Sequence, residues 1–599
     1  MIRRAWMLLL VILLCPVLAD ATTYYVRSVE GEYGAEDGSN YTNAFDGFDD
    51  VGALAAGDTL YICGAHTATR FNIANGTAGT STSYIKFDFR CPNDPGSIRS
   101  VWPITGATTA VNWTEESANK WSISTAAYFQ KSMGRVWLDG VEQPLSNSVA
   151  NLGTVIDGVG DVTTAYSDSG NSKLYLYSTA NPATRYTTFE SLGLPSNGTG
   201  CSYSAICGSS ATLKYLEFID PVLEGGNIAA LELDGATDII IRGTATDGST
   251  CQIGKDSKDG IKIYDTVGDG SGTPTARWTI RYCTFNSNFP FLHFGHTSQA
   301  LNDGIYFFHN GSGHVIEHNY FYRWLHAAVE ILATQNTNTA TNNIIRNNYV
   351  ECVILSYCRA FVVDGAALGD AAYNAFLSNE IVGQATRSQI NGDHNIVSGN
   401  LWRDAGCGEV VSQGGDEACQ YLAPEAYAGD IGYNVYTNNT FVNNPYMPCF
   451  HVYTNANASA GHVITNNLFI NCGGTNLTGY DNVGFATDTT NITNLTIKNN
   501  HIYKSGVSSN VRYRGTNMTV AAMEAAFSGG DSGSGNVATD PLFLSTSDFR
   551  LSALSTARRA GISGYPCSDV RGRACYPDRP DIGAYQATSR DPAGPRTAR

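Results

Sequence analysis

A six-residue phrase recurs along the middle of the chain: apolar, any, Asn-like, Asn-like, any, apolar or aromatic. It runs from Leu213 to Phe218, Ile280 to Phe285, Ile316 to Phe321, Ile345 to Val350, Leu377 to Val382, Val397 to Trp402, Tyr436 to Phe441, Ile464 to Phe469 and Ile497 to Ile502. The middle pair is Asn347-Asn348, Asn438-Asn439, Asn466-Asn467 and Asn499-Asn500 in the clearest copies. From Ile280 onward the copies start 36, 29, 32, 20, 39, 28 and 33 residues apart. Self-similarity at such a period marks a stacked array, in which each unit buries its apolar face against its neighbours.

Each copy is too short for a helix and is rich in Ile, Val, Phe and Tyr, which suits strands. Apolar residues flank the Asn pair, so the phrase reads strand, tight corner, strand. Asn tolerates left-handed backbone angles and turns corners well. Asn at the same corner of successive coils can also stack into a ladder of amide hydrogen bonds. A second strand-like phrase alternates with the first: Gly260-Ile261-Lys262-Ile263, Gly304-Ile305-Tyr306-Phe307, Ala328-Val329-Glu330-Ile331, Phe361-Val362-Val363 and Phe450-His451-Val452-Tyr453. The unit is two or three short strands per coil without intervening helices. The pattern predicts an all-β parallel β-helix solenoid.

The ends carry further motifs. Thr23-Tyr24-Tyr25-Val26, Asp37-Gly38-Ser39, Asn43-Ala44-Phe45 and the run from Ala56 to Ile62 stand at the front. Asp540-Pro541-Leu542-Phe543, Asp548-Phe549-Arg550-Leu551 and Asp581-Ile582-Gly583-Ala584-Tyr585 stand at the back. With these segments the chain resembles the right-handed, pectate-lyase-like parallel β-helix superfamily over most of its length. The resemblance implies a secreted protein with N- and C-terminal capping segments and a glycan-binding groove on an outer face. It leaves activity open, because this fold carries lyases, hydrolases, epimerases and non-catalytic surface proteins.

Residues 1–21 read as a secretory signal, with Arg3 and Arg4, an apolar run from Trp6 to Leu14, and Ala19-Asp20-Ala21 as a cleavage site. The run is too short to span a bilayer, and no later segment is apolar enough. Extracellular, periplasmic or cell-surface location is expected. Of 15 cysteines, all but Cys15 lie beyond the signal. Without C-x-x-C spacing they suit disulfides better than zinc. Nearest-neighbour pairing gives Cys63 with Cys91, Cys201 with Cys207, Cys251 with Cys283, Cys352 with Cys358, Cys407 with Cys419, Cys449 with Cys472 and Cys567 with Cys575; staples between adjacent coils are the alternative.

The expected organisation is an N-terminal cap, first coils and an insertion over 22–200, regular coils over 201–510, a closing segment over 511–587 and a disordered tail over 588–599. The helical stretch from Thr519 to Phe527 is placed to cap the solenoid. The formal charge of −17 argues against nucleic acid as partner, since phosphate wants a basic surface. It also means that an acidic polysaccharide needs a local basic patch or a bridging cation. A monomer is expected.

Alternation along a strand turns Lys262, Tyr306, Glu330 and His451 outward when their neighbours point inward. Stacked coils would align them along one outer face. The resemblance implies Lys262 as a base that takes the proton beside a uronate carboxyl group. It implies Tyr306 as proton donor, with Glu330 or Asp364 orienting a sugar or holding calcium. Arg281 follows Lys262 by 19 residues and would suit β-elimination if both faced one side. Six of the 11 histidines, His293, His296, His309, His314, His318 and His326, crowd into 34 residues. They suit a sugar cleft better than a metal cluster, with His309, Asp303 and Arg323 as substrate contacts. The stretch 403–433, with Asp416, Glu417 and Glu425, reads as a disulfide-bounded surface loop. No complete calcium loop, nucleophile elbow or P-loop occurs, and no paired-Asp signature of pectin hydrolases is recognisable. The expected function is therefore binding of or action on polysaccharide, by a lyase before a hydrolase. The rival is a non-catalytic surface or adhesive scaffold, which would carry the outward residues as a flat, solvated row.

Overall fold

The computed structural model describes residues 21–586 except 30, 105, 125–134, 144–148, 151, 154, 157–160, 163–164, 169–172, 192–203, 227–228, 256–258, 264–274, 287–302, 309–310, 325, 334–338, 353–357, 366–369, 385–387, 405–421, 424, 427–430, 455–458, 475–481, 488–491 and 577. The signal sequence, the tail, His293, His296, His309, Cys201 and the Cys407 and Cys419 pair thus lie outside the described residues.

Three long sheets, here sheets I, II and III, hold 15, 12 and 14 strands. One coil shows the plan. Ile344–Arg346 lies in sheet I, Tyr349–Glu351 in sheet II and Arg359–Gly365 in sheet III, and Ala375–Leu377 then returns to sheet I. Each strand pairs in parallel with its counterpart one coil on. The fold is a parallel β-helix with three strands per coil. Its interior is a stack of like positions: Ile280, Ile316, Ile345, Phe376, Val397, Tyr436, Ile464 and Ile497 follow one another in register in sheet I, all fully buried. Trp402, Phe441 and Phe469 stack face to face in sheet II.

The Asn pair divides its work at the corner between sheets I and II. The first member turns the chain: Asn347, Asn438, Asn466 and Asn499 have φ of 55°, 56°, 57° and 50°. The second is buried and builds the ladder. Asn319, Asn348, Asn379, Asn400, Asn439, Asn467 and Asn500 each pass an Nδ2 hydrogen to the Oδ1 of the next, the last to Asn536, at 2.9–3.1 Å. A parallel ladder runs through Asn343, Asn374, Asn395 and Asn434 and ends on His462 Nδ1. Two copies of the phrase are out of phase with this frame. Phe376, not Leu377, aligns with Ile345, so Leu377 lies beside Arg346 and Ser378 is the corner residue, with φ 58°. The stretch from Leu213 to Phe218 falls largely within the strand Lys214–Ile219 rather than across a corner. The apolar residues flanking each true copy hide such one-residue slips, which exchange the two faces.

At the front, Phe48, Val51 and Leu54 cover the first coils, and Phe48 stacks on Phe71. At the back, the helix Val520–Ala525 buries Val520 and Met523 over the last coil. Glu524 Oε1 accepts from the Asn536 backbone N–H and Nδ2, closing the ladder. An insertion between Trp102–Pro103 and Phe189–Ser191 forms antiparallel sheets around its own core of Trp113, Ile123, Leu174, Leu176 and Phe189. Five disulfides join Cys63 to Cys91, Cys251 to Cys283, Cys352 to Cys358, Cys449 to Cys472 and Cys567 to Cys575, as nearest-neighbour pairing expects. The Cys251 bridge also staples adjacent coils, since its two cysteines precede paired strands of sheet II. Among the described residues no helix is long and apolar enough to cross a membrane.

The C-terminal segment folds back along the solenoid. Its carbonyls at Ala560, Ile562 and Pro566 accept from Asn499, Asn466 and Ser398, and Ser568 Oγ meets Ser378 Oγ at 2.8 Å. This strap crosses successive coils in reverse order. Phe549, Leu551, Val570 and Ile582 bury a second core against Leu401, Val442, Leu468 and Ile470 on the outside of sheet II.

Candidate functional site

The outward residues of sheet III do align. Glu232, Lys262, Tyr306 and Glu330 occupy one register position on four successive coils, followed by Val362 and Gln389. The row is not solvated. Lys262 is 7% exposed, and Glu232, Tyr306 and Glu330 are each 3% exposed. Charged groups withdrawn from water cost free energy unless paired, so a row of them outside the apolar core needs partners. Ser204 Oγ donates to Glu232 Oε2 at 2.6 Å. Lys262 Nζ lies 3.8 Å from Asp259 Oδ2 and 5.2 Å from the centre of the Tyr306 ring.

Beside Glu330 the site has a second element. Asp259 opens the strand Asp259–Ile263, Asp303 stands two residues before the strand Ile305–Phe308 in the same Asp-Gly-Ile phrase, and both are fully buried. The glycines permit this: a Cβ on Gly260 would stand 2.5 Å from the Gly304 carbonyl, and one on Gly304 2.5 Å from that of Ala328. The Asp303 N–H donates to Asp259 Oδ1 at 3.0 Å, and Asp303 Oδ1 accepts from the Ala327 N–H at 2.9 Å. His326 Nδ1 lies 3.0 Å from Asp303 Oδ1 and 3.0 Å from Glu330 Oε2. Burial, and then the Glu330 charge, push the Asp303 carboxyl above the usual carboxylate range. Burial works against a charge on His326, but Asp303 and Glu330 outweigh it and hold the imidazolium upward of its ordinary range.

The remaining expected site residues scatter. Arg281 belongs to the outer face of sheet I, 4.0 Å from Glu317, which also pairs with Arg346 at 2.6 Å. It does not share a side with Lys262, and the expected pairing of the two is corrected: the Asn phrase feeds sheet I and the second phrase feeds sheet III. Arg323 turns the corner after Tyr320–Tyr322 with φ 57°, its guanidinium over the Tyr322 ring. His451 is buried on sheet III four coils beyond Glu330, at the strand spacing roughly 19 Å away. The Asp364 backbone pairs beside Leu332, while its side chain lies outside the described residues, as does His309. The described histidines of the rich patch separate: His314 is in the core on Phe307, His318 stacks on Tyr282 at a corner, and His326 joins the site. Glu232 and Asp259 were not singled out in the sequence. Leu231-Glu232-Leu233 repeats the apolar-x-apolar phrase, and Asp-Gly-Ile occurs at both 259 and 303, so both signals were there.

Calcium takes six to eight oxygen ligands. Asp303, His326 and Glu330 instead bring one nitrogen and two carboxylates together, with ligand atoms within 4.8 Å of one another. This set is not an all-oxygen calcium cage, and the side chain of Asp364, expected to hold calcium, lies outside the described residues.

No family model and no curated protein matches the chain. Solved structures similar to it include XylC in complex with xylose, at 12% identity and a TM-score of 0.32, covering 81% of this chain and 76% of that one. A glycoside hydrolase is similar at 10% identity and TM-score 0.33, covering 86% and 96%. A PL6 family polysaccharide lyase from Pseudopedobacter saltans is similar at 9% identity and TM-score 0.27, covering 90% and 97%. Likeness at this level leaves the chemistry to be argued from the chain's own residues.

Proposed function

We propose that the chain is a secreted, polysaccharide-acting enzyme whose site is the outer face of sheet III around Lys262, Tyr306 and Glu330. One observation carries this reading: Lys262, Tyr306 and Glu330 stack in register outside the core and yet are buried, where a scaffold would carry a solvated row. Secretion fits the five disulfides, which persist in oxidising compartments.

The reaction these residues suit best is β-elimination on a uronate polymer. Lys262, as free amine, would take the proton on the carbon beside the uronate carboxyl group. The electron pair left there forms the new double bond as the glycosidic C–O bond breaks, and Tyr306 would deliver its proton to the departing oxygen. Arg359, which pairs beside Ala327 one coil on, offers the local positive charge that an acidic polymer needs on this acidic chain. Hydrolysis is the second reading, favoured by the pair Asp303 and Glu330. Hydrolytic carboxylates stand about 5–10 Å apart across the bond. In this pair Asp303 is fully buried and His326 stands against both carboxylates, which leaves the bond no place between them.

The test is absorbance near 235 nm, where the unsaturated uronate product absorbs, on alginate, pectate and chondroitin, alongside a reducing-end assay. A signal abolished by Lys262→Ala supports the lyase and its base, and a signal that survives moves the site. Reducing ends without absorbance support hydrolysis. Glycan binding without either supports the scaffold.

A further inference from the structure

We infer that Asp303, His326 and Glu330 form a binding site for a divalent transition metal of the zinc class. His326 Nδ1 carries one hydrogen at most, yet it has two carboxylate oxygens at 3.0 Å. That hydrogen serves Asp303 Oδ1, and Glu330 Oε2 is left without a hydrogen bond, as is Asp303 Oδ2. These oxygens are cut off from water, where an unsatisfied carboxylate oxygen is costly. Without a metal, protons on the nitrogen and on a carboxyl must be shared among these three groups, whereas a metal ion at the centre binds all three.

The spacing agrees. Nitrogen and oxygen donors bind zinc at about 2.0–2.2 Å, and two donors at such distances, about 90–110° apart around one ion, are separated by about 3.0–3.4 Å. Both N···O separations here are 3.0 Å. The charge agrees as well: once the ion has displaced the protons, the imidazole is neutral and the two carboxylates carry two negative charges, which a divalent ion cancels. An imidazole with carboxylates selects zinc, cobalt or nickel over calcium. The strands hold the donors in place, because Asp303 Oδ1 is also fixed by the Ala327 N–H and the Asp303 backbone is tied to Asp259. The inference goes beyond the proposed polysaccharide activity and is read without any substrate.

The experiment uses the full-length secreted protein, free of any histidine tag, stripped with chelator and titrated with Co2+ and Zn2+. One equivalent of Co2+ giving visible ligand-field bands, displaced by Zn2+ and not by excess Ca2+, is the expected result. His326→Gln and Glu330→Gln should each weaken Zn2+ affinity by about 100-fold or more and remove the Zn2+-dependent rise in Tm. Circular dichroism checks that each variant folds. Absence of stoichiometric Zn2+ or Co2+ binding by the wild type overturns the site, as does displacement by Ca2+. Unchanged affinity in either folded variant overturns it too. If neither variant folds, the wild-type stoichiometry and the calcium competition decide it. A failed polysaccharide assay with intact metal binding would count against the proposed activity alone.

Discussion

Asn348 Nδ2 donates to Asn379 Oδ1 at 3.0 Å, although the two residues are 31 apart in sequence. Asn379 in turn donates to the Ile345 carbonyl and to Asn400 Oδ1. Each ladder amide thus satisfies groups on coils above and below it. Asn379→Ala strands several buried donors and acceptors at once and should cost about 3 kcal/mol or more. Denaturant unfolding would measure this. A loss under about 1 kcal/mol would mean that the ladder carries little of the stability.

Stability should fall as the medium turns acidic from about pH 6.5. His314 and His462 are buried, and burial lowers their pKa from 6.5 to about 3 and about 4. Between those values the unfolded chain binds protons that the folded chain refuses, so each histidine removes about 1.4 kcal/mol per pH unit. Both stand where a ladder Asn would: the His314 N–H donates to Asn343 Oδ1, and His462 Nδ1 accepts from the Asn434 N–H. His462→Asn should keep that bond and flatten the Tm against pH profile between pH 4 and 6.5. A profile unchanged in the double variant with His314→Asn would assign the acid sensitivity elsewhere.

Gly399 is a corner that the strap crosses closely. Its φ is 69°, and a Cβ there would stand 2.0 Å from the Ser568 carbonyl oxygen. Gly399→Ala should lift the strap and cost about 2 kcal/mol or more through clash and backbone strain. Limited proteolysis would show it as faster cleavage after residue 540, with the coils themselves resistant.

Tyr306→Phe removes one oxygen from a buried ring and keeps its packing over Lys262. If Tyr306 is the proton donor, kcat should fall about 10²–10⁴-fold with KM little changed. Equal loss in both constants, or none, would place the donor elsewhere.

Much of this molecule was legible in its residues. Asn at the corner follows from its tolerance of left-handed angles, and Lys262, Tyr306 and Glu330 follow from strand alternation. What was hidden depends on distance in the chain. Arg281 lies 19 residues from Lys262, but nothing local says which sheet each phrase feeds. Asp303 stands just before its strand and is fully buried, where a charge is not expected, and only the fold brings His326 to it. The strap was equally hidden, because Ser568 meets Ser378 across 190 residues.

That strap has a consequence for the order of assembly. Synthesis delivers the coils first and the segment after residue 540 last. Until it arrives, Leu401, Val442, Leu468 and Ile470 form an apolar stripe along the outside of sheet II with nothing over it. A nascent solenoid can therefore have complete coils and still be adhesive along one side. Chains halted before Phe549 should meet one another through that stripe, so the segment from Phe549 to Ala584 acts as the step that ends self-association.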